Sequence, residues 1–136
     1  MVDPTRLLRL LRSVTDEVSV LGREATAEPS RREDVLWLRG VKYAFVTAIE
    51  ACVDAAQHIC ATSGWGPPSD NGDAMRLLGA HGILERDHAE RMARAVGFRN
   101  LLVHEYARVD DGIVVARLED LEDLHEFARR TAALAH

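Results

Sequence analysis

The chain has 136 residues, of which 47% are hydrophobic and 29% charged, and its formal net charge is −5 at pH 7. This length is typical of one domain, predicted over residues 1–136, that folds without a disulfide or a metal. The composition excludes a disordered chain, and the acidic balance argues against nucleic-acid binding by the whole surface while allowing a local basic cleft. No apolar run approaches the roughly 18 residues of a membrane span and no signal peptide is evident, so we expect a cytoplasmic protein with no membrane attachment.

The two cysteines, Cys52 and Cys60, are eight residues apart. On one helix they would lie about 12 Å apart along the axis, which is too far for a disulfide. We therefore expect both thiols to be reduced and partly buried. The chain has no Cys-x-x-Cys or His-x-x-x-His pair, so no metal site and no other cofactor is predicted.

The first half of the chain predicts two long helices. Asp3-Pro4 is a helix-start signal, and apolar residues at spacings of three and four predict an amphipathic helix over about residues 4–25. Ser30 and Glu33 form a capping box that predicts the start of a second helix, about 32 residues long, which ends near Thr62. A helix nearly 50 Å long exceeds what one small core needs, so we expect it to line an oligomer interface as well. The small residues that would let another helix approach closely are Ala44, Ala48, Ala51, Ala55 and Ala56.

The second half predicts three further helices after a Gly- and Pro-rich break. A short helix is predicted from Asn71 to Ala80, a fourth from Arg86 with Val103 on its buried side, and a last one from Glu119 to Ala135. Ile113–Val115 is β-branched and is predicted to form a short extended piece. The sum is an all-α, antiparallel up-and-down bundle of four or five helices.

Chemically capable side chains are concentrated near the end of the fourth predicted helix. Asn100 and His104 are four residues apart and share one helix face. Arg99 lies about 140° around the axis from His104, but its length lets it reach the same cleft. Leu101 and Leu102 are expected to point into the bundle and hold this polar face in place.

These three side chains suit the cleavage of an RNA phosphodiester, in which the 2′-hydroxyl loses a proton, the 5′-oxygen gains one and the phosphorane carries negative charge. Histidine exists in both protonation states near neutrality, arginine forms a charged fork that matches phosphate oxygens, and asparagine orients the imidazole or a hydroxyl. No metal is required. A second His104 from a partner chain would supply the acid, and Arg91 and Arg94 would rim the phosphate cleft. The alternative is that Arg99, Asn100 and His104 only bond the last carbonyls of the helix and complement its dipole.

The stretch Phe98-Arg99-Asn100-Leu101-Leu102-Val103-His104-Glu105-Tyr106 resembles the signature of HEPN-domain proteins of the HepT-like (DUF86) toxin family. The pattern of that family is Arg-x4-His followed by x-Tyr, usually with Asn after the Arg. The likeness extends over most of the chain, from the leading helix through the Gly/Pro break to the motif helix.

This resemblance implies an all-α HEPN fold and the toxin of a type VII-like toxin–antitoxin pair. It implies a dimeric, metal-independent endoribonuclease in which Arg99 and His104 are catalytic and Asn100 supports them. It also implies a cognate minimal nucleotidyltransferase antitoxin that adenylylates the tyrosine of the motif, which is Tyr106 here. The bound AMP would act as a substrate mimic on Arg99 and block RNA.

The position of Tyr106 stays open at this point. It is two residues past His104, so on a regular helix it would point nearly opposite. Either the helix ends near Glu105 or Tyr106 faces the rim of the cleft. Two other interpretations of the chain are a non-catalytic helical dimer that serves as a nucleotide-binding or nucleotidyltransferase-partner module, and a helical oligomer whose motif is only structural.

Overall fold

A computed structural model describes all residues from Met1 to His136, and every regular element in it is helical. The prediction of an all-α bundle is confirmed, with five longer helices and two short ones. In chain order they are α1 (Pro4–Glu24), α2 (Pro29–Arg32), α3 (Val35–Ser63), α4 (Asn71–Ala80), α5 (Arg86–His104), α6 (Asp111–Arg117) and α7 (Glu122–Ala132), with 3-10 turns at Tyr106–Arg108 and Ala133–Ala135.

Helix α3 is the centre of the hydrophobic core, and 14 of its 29 residues are buried. Helix α1 packs along it, α7 packs against α1, and α4 and α5 pair with each other and contact α3. The alanines expected to face an oligomer partner are buried inside this fold, so the prediction that these side chains form the contact with a partner is wrong. Their small side chains instead let the helices of the same chain approach α3 closely, as close packing of a core requires.

The apolar character of α3 has a further consequence. Contrary to the sequence expectation, this helix is long and apolar enough to cross a membrane when judged by length and composition alone. However, 61% of its most hydrophobic window is buried within the protein, as in the core helix of a water-soluble domain. Cys52 and Cys60 are unpaired, as predicted, but they are fully rather than partly buried in this core, and burial raises the pKa of each thiol.

Four aspartates determine where helices begin. The side chains of Asp3, Asp34, Asp70 and Asp110 each accept a hydrogen bond from a backbone N–H two or three residues ahead, at 2.7–3.2 Å. These bonds satisfy amide groups that have no partner inside the helix. They begin α1, α3, α4 and α6, respectively.

The prediction that one continuous helix starts at the capping box of Ser30 and Glu33 is wrong. The chain forms the short α2, breaks, and restarts at Val35 under the cap of Asp34. The break coincides with bonds made by the Arg32 guanidinium, which donates to the carbonyls of Ala25 and Ala27 in the turn after α1. Helix α2 is thereby tied back against α1 and does not continue into α3.

Two further predictions are corrected. Ile113–Val115 is helical and not extended, because Asp110 caps α6 and Val114 is fully buried. Cap and core contact outweigh the weak β preference of these residues. Val103 was expected on the buried side of its helix, but its side chain is 43% exposed. The buried stripe of α5 therefore runs through Phe98 and Leu102, and Val103 belongs to the surface.

Candidate active site

Helix α5 carries the motif at its C-terminal end and is fixed to the core on both sides of Arg99. The buried ring of Phe98 meets the ring of Phe45 edge-on, with centroids 5.5 Å apart. Leu102 is buried one turn later, and Leu101 is half-buried. Because residues before and after it are packed, the backbone of Arg99 has little freedom, as a precise site requires.

The guanidinium of Arg99 is held by two side-chain acceptors. Nη1 donates to Oδ1 of Asn100 at 2.9 Å, and Nη2 donates to Oε1 of Glu50 on α3 at 2.5 Å. Nε is buried and has no hydrogen-bond partner. An unsatisfied buried donor costs about 1–3 kcal/mol, so this arrangement is not the one that stability alone would favour.

The Arg99 side chain lines a polar cavity of about 390 Å³ between α3, α4 and α5. The other lining residues are Glu50, Val53, Asp54, Gln57 and Asn71. On the far wall, the Gln57 amide donates to Oδ1 of Asn71 at 3.1 Å. The cavity thus presents one fixed cation and two carboxylates. This combination can bind a phosphate through the arginine and accept a proton through a carboxylate.

His104 is the last residue of α5 and is exposed. Its imidazole makes no hydrogen bond within the chain, so both ring nitrogens are free for proton transfer. It lies about 7.5 Å along the helix axis from Arg99. Asn100 lies one turn before His104, as predicted, but the structure joins its amide to Arg99 and not to the imidazole.

The helix ends after His104, which answers the question left open for Tyr106. Glu105 leaves the helical conformation, with φ −128° and ψ 38°, and Tyr106 begins a 3-10 turn. The Tyr106 side chain is 45% exposed. Its ring packs on Lys42, whose Nζ lies 4.5 Å from the ring centroid.

Lys42 joins this tyrosine to α6. It is the only lysine of the chain and is buried, and its Nζ forms an ion pair with Asp111 at 2.9 Å. Tyr106 and Lys42 line a second cavity, of about 460 Å³, together with Arg32 and Arg39. The motif therefore opens on two cavities, one containing Arg99 and one containing Tyr106.

The two arginines expected at the cleft rim differ in their surroundings. Arg91 forms an ion pair with Asp123 of α7 at 2.9 Å, and this contact raises the pKa of its guanidinium. Arg94 is exposed and has no ion-pair partner. Neither of them lines the cavity of Arg99. Of the two, Arg94 alone is free to contact a bound polyanion without giving up an ion pair.

Sequence reasoning missed Glu50 and Lys42. Both lie in α3 next to buried apolar residues, Lys42 after Val41 and Glu50 between Ile49 and Ala51. A charge that is buried in such a stretch, as that of Lys42 is, requires a partner, because an unpaired buried charge is costly. That signal was present in the sequence, but it did not indicate which partners these two residues would meet.

Relatives of this chain include proteins named as ribonucleases. It is 32% identical over 102 residues to an Archaeoglobus fulgidus protein named "Putative RNase", a match that covers 74% of this chain and 76% of the relative. It is 33% identical over 79 residues to the mRNA nuclease HepT of Shewanella oneidensis, covering 57% of this chain and 59% of that protein.

Solved structures show the same fold at lower identity. A crystal structure of a toxin–antitoxin with AMP-PNP matches with a TM-score of 0.87 and 22% identity, covering 95% of this chain and 98% of that one. A tri-AMPylated HEPN toxin of Shewanella oneidensis in complex with MNT antitoxin also matches with a TM-score of 0.87 and 22% identity, covering 98% and 99%. The model of the family described as ribonuclease HepT-like matches residues 8–131. The chain therefore belongs to the ribonuclease HepT-like family.

Proposed function

We propose that the protein is the toxin of a toxin–antitoxin pair and a metal-independent endoribonuclease in which Arg99, Asn100 and His104 form the active site. Family membership and the names of the relatives support ribonuclease activity. The observation that carries the assignment is the Arg99 guanidinium, held in a polar cavity by two acceptors, with an unbonded imidazole about one and a half turns away on the same helix.

The chemistry follows from these positions. Arg99 binds non-bridging oxygens of the scissile phosphate and stabilises the charge of the phosphorane. The 2′-oxygen attacks phosphorus, and His104 transfers a proton to or from the reacting oxygens. Asn100 holds the guanidinium through its side-chain oxygen, which keeps the charged fork aimed at the cavity.

We propose that two copies of the chain form the complete RNA-binding site. Leu36, Tyr43 and Glu50 are spaced seven residues apart on α3 and form one stripe along that helix. Leu36 and Tyr43 are each 71% exposed, and the stripe continues directly to the ion pair of Glu50 with Arg99. A second copy that covers these apolar side chains brings two Arg99 cavities close together, and Arg94 then lies at the rim of the shared cleft.

We propose that a nucleotidyltransferase antitoxin neutralises the protein by adenylylating Tyr106, and that the pair acts in the cytoplasm. The likeness to an AMPylated HEPN toxin supports the modification, and the position of Tyr106 just past the end of α5 leaves its side chain accessible. An AMP group adds a negatively charged phosphodiester two residues past His104, at the end of the helix that carries the proposed site. It therefore competes with the substrate.

The activity is tested with purified protein, a mixed RNA substrate and excess EDTA. The parent chain is expected to cleave RNA and to leave 2′,3′-cyclic phosphate ends, while His104→Ala loses at least about 100-fold in rate, as for removal of a general acid–base group. His125→Ala is the matched control, because His125 is an exposed histidine of α7 that lines a groove with α1 and lies outside the motif. Cleavage by His104→Ala at the parental rate contradicts the assignment of the site.

The modification is tested by intact mass after co-expression with the nucleotidyltransferase. The mass is expected to rise by whole AMP units in the parent, and Tyr106→Phe abolishes the increase. The chain has one other tyrosine, Tyr43, which is the more exposed of the two. Tyr43→Phe therefore separates recognition of Tyr106 from simple exposure, and loss of the increase in that variant would count against Tyr106.

A second function, that of a non-catalytic partner of a nucleotidyltransferase, is favoured by two observations. Glu50 neutralises Arg99 in the free chain, and the net charge of the whole protein is −5, both of which weaken binding of a polyanion. The two functions give different results in one experiment. A chain that binds the nucleotidyltransferase tightly, yet cleaves none of the RNAs offered in EDTA, has the second function.

A further inference from the structure

The proposed reaction requires two proton transfers, and the structure places a second proton-transfer group beside Arg99. The 2′-hydroxyl must give up a proton as it attacks, and the 5′-oxygen must receive one as it leaves. His104 is the only histidine of the motif. Glu50 is the carboxylate that contacts the site directly, through the 2.5 Å bond between its Oε1 and Nη2 of Arg99.

The shared guanidinium determines where Glu50 lies relative to a bound substrate. An arginine that binds a carboxylate on one edge and a phosphate on another holds the two groups side by side. In RNA, the 2′-hydroxyl is attached to the carbon next to the one that carries the 3′-phosphate. A phosphate on Arg99 whose 3′-ribose is turned toward α3 therefore brings the 2′-hydroxyl next to the Glu50 carboxylate.

The exposure of Glu50 suits this role. Its side chain is 47% exposed, and Oε2 makes no hydrogen bond in the chain, so one carboxylate oxygen is free to face a substrate. The charged groups that face Glu50 are Arg99 of α5 and Asp54, one turn further along α3, and α4 contributes only the neutral Asn71. Asp54 lines the same cavity but forms no hydrogen bond or ion pair with Arg99.

We propose that Glu50 is the general base of the cleavage reaction and that His104 is the general acid. The Glu50 carboxylate takes the proton of the 2′-hydroxyl, the 2′-oxygen forms a bond to phosphorus, and the bond from phosphorus to the 5′-oxygen breaks. The imidazolium of His104 gives its proton to the leaving 5′-oxygen. The products are a 2′,3′-cyclic phosphate and a 5′-hydroxyl, and exchange with water restores both groups.

This inference rests on the proposed ribonuclease function and changes one part of it. The proposed active site contains one titrating group per chain and relies on a partner for the second. With Glu50 included, each chain carries a base, a phosphate-binding cation and an acid. The role of a second copy is then to complete the surface that binds RNA, rather than to supply the missing acid.

The test compares Glu50→Gln with Glu90→Gln in single-turnover cleavage in EDTA. Glutamine keeps a side-chain oxygen that accepts from Arg99 but cannot take a proton. Glu90 is the matched control, because its carboxylate is about as exposed as that of Glu50 and also pairs with an arginine, Arg76, but does not line the cavity. We expect Glu50→Gln to lower the rate 100- to 10,000-fold, the usual range for a general base, and Glu90→Gln to stay within about threefold of the parent. Glu50→Asp keeps the carboxylate at a changed distance and is expected to retain more activity than Glu50→Gln.

The pH profile separates a base from a residue that only positions Arg99. The parental rate is expected to fall at acidic pH, as a carboxylate gains a proton, and at alkaline pH, as an imidazolium loses one. Glu50→Gln removes the acidic limb and keeps the alkaline one. Binding of an RNA with a 2′-deoxy nucleotide at the cleavage site, which is not cleaved, is expected to be as tight or tighter in Glu50→Gln, because a negative charge has been removed.

Two outcomes overturn the proposal while leaving the ribonuclease function intact. In the first outcome, the parent cleaves RNA and His104→Ala does not, while Glu50→Gln cleaves at the parental rate. The rate of Glu50→Gln then also falls at both acidic and alkaline pH, as that of the parent does. The other is a Glu50→Gln variant that loses binding of the 2′-deoxy RNA by the same factor as its rate, which indicates a positioning role. If the parent itself cleaves no RNA, the proposed function fails and the assignment of Glu50 fails with it.

Discussion

Arg99 is the residue on which the proposed site depends, because its flat fork contacts groups on two sides at once. Nη1 meets Asn100 of its own helix and Nη2 meets Glu50 of α3, which is 49 positions earlier in the chain. A lysine carries the same charge on a single nitrogen and cannot reproduce this planar arrangement. The geometry of the guanidinium, and not only its charge, is therefore expected to matter.

Arg99→Lys tests this requirement. We expect cleavage of RNA in EDTA to fall about 100- to 1,000-fold, the usual loss when one aligned donor to a transition-state oxyanion is removed. Thermal stability is expected to change little, since the unpartnered Nε of Arg99 is removed at the same time. Arg76→Lys is the matched control, because Arg76 forms a comparable 2.9 Å ion pair with Glu90 away from the cavity. Equal activity of Arg99→Lys and the parent contradicts the role given to the fork.

At the scale of the elements, the ends of helices were harder to predict than their existence. The apolar spacing of α1, α3 and α5 identifies the long helices, since one face of each is buried. The break before Val35 was missed because it depends on bonds from the Arg32 side chain to carbonyls in the turn that follows α1. No local pattern reports such a contact.

The candidate site was predictable to the same extent. The motif helix and its three polar residues follow from local spacing and from the family resemblance. The pairing of Glu50 with Arg99 is a tertiary contact over 49 residues, and the support of Tyr106 by Lys42 joins α3 to the turn after α5. Both contacts depend on how α3 and α5 are packed, which a single sequence does not specify.

The crossing of α4 and α5 is close enough that a single methyl group should disturb it. A Cβ added at Gly79 would lie 2.7 Å from Cβ of Ala89, which cannot move aside as a flexible side chain would. We expect Gly79→Ala to lower the free energy of unfolding by about 1–3 kcal/mol, as for overpacked cores. Gly97→Ala, at a helical glycine with open space around it, is expected to raise it by about 0.5–1 kcal/mol. Urea denaturation measures the free energy of unfolding of both variants. If Gly79→Ala changes it by the same amount as Gly97→Ala, the helix crossing tolerates the methyl group.

The junction of α1, α2 and α3 is expected to weaken in acid. The Glu24 carboxylate accepts bonds from Arg31 of α2 and from the Trp37 indole of α3, and these bonds, Arg31 first, hold the pKa of Glu24 below its ordinary value of 4.5. A group with a lowered pKa stabilises the fold above its unfolded-state pKa, and this contribution is lost as the pH falls through the folded-state value.

The parent is therefore expected to be more stable than Glu24→Gln at pH 7, and the difference should shrink as the pH is lowered below about 4.5. Thermal melts of both chains between pH 7 and pH 3 measure the difference. Glu28→Gln removes an exposed carboxylate without a partner, and its melting temperature should equal that of the parent at every pH in this range. A gap between the parent and Glu24→Gln that stays constant with pH contradicts the role of the ionised carboxylate.

At the scale of the whole molecule, the proposed dimer and the proposed site share one surface. The exposed stripe of Leu36 and Tyr43 on α3 leads to Glu50, which contacts Arg99 of α5, and Val103, one turn after Arg99, is exposed as well. In a two-fold symmetric dimer, each residue of such a patch is buried twice. A single charged substitution in the stripe therefore occurs twice in the dimer interface, and its effect on the free energy of dimerisation is doubled.

Leu36→Glu is expected to weaken dimerisation at least 100-fold, because burial of one leucine contributes about 1.5–3 kcal/mol and two copies are lost. Leu8→Glu is the matched control, since Leu8 is also an exposed leucine but lies on α1 beside α7. Light scattering over a range of concentrations measures the association, and RNA cleavage is assayed at the same concentrations. If the dimer completes the RNA-binding surface, cleavage by Leu36→Glu should fall in step with the fraction of dimer, whereas Leu8→Glu follows the parent. A parent that is monomeric and still cleaves RNA at full rate would show that one chain is sufficient. Such a result is chemically possible, because Glu50 and His104 lie on the same chain. It would remove the dimer from the proposed function.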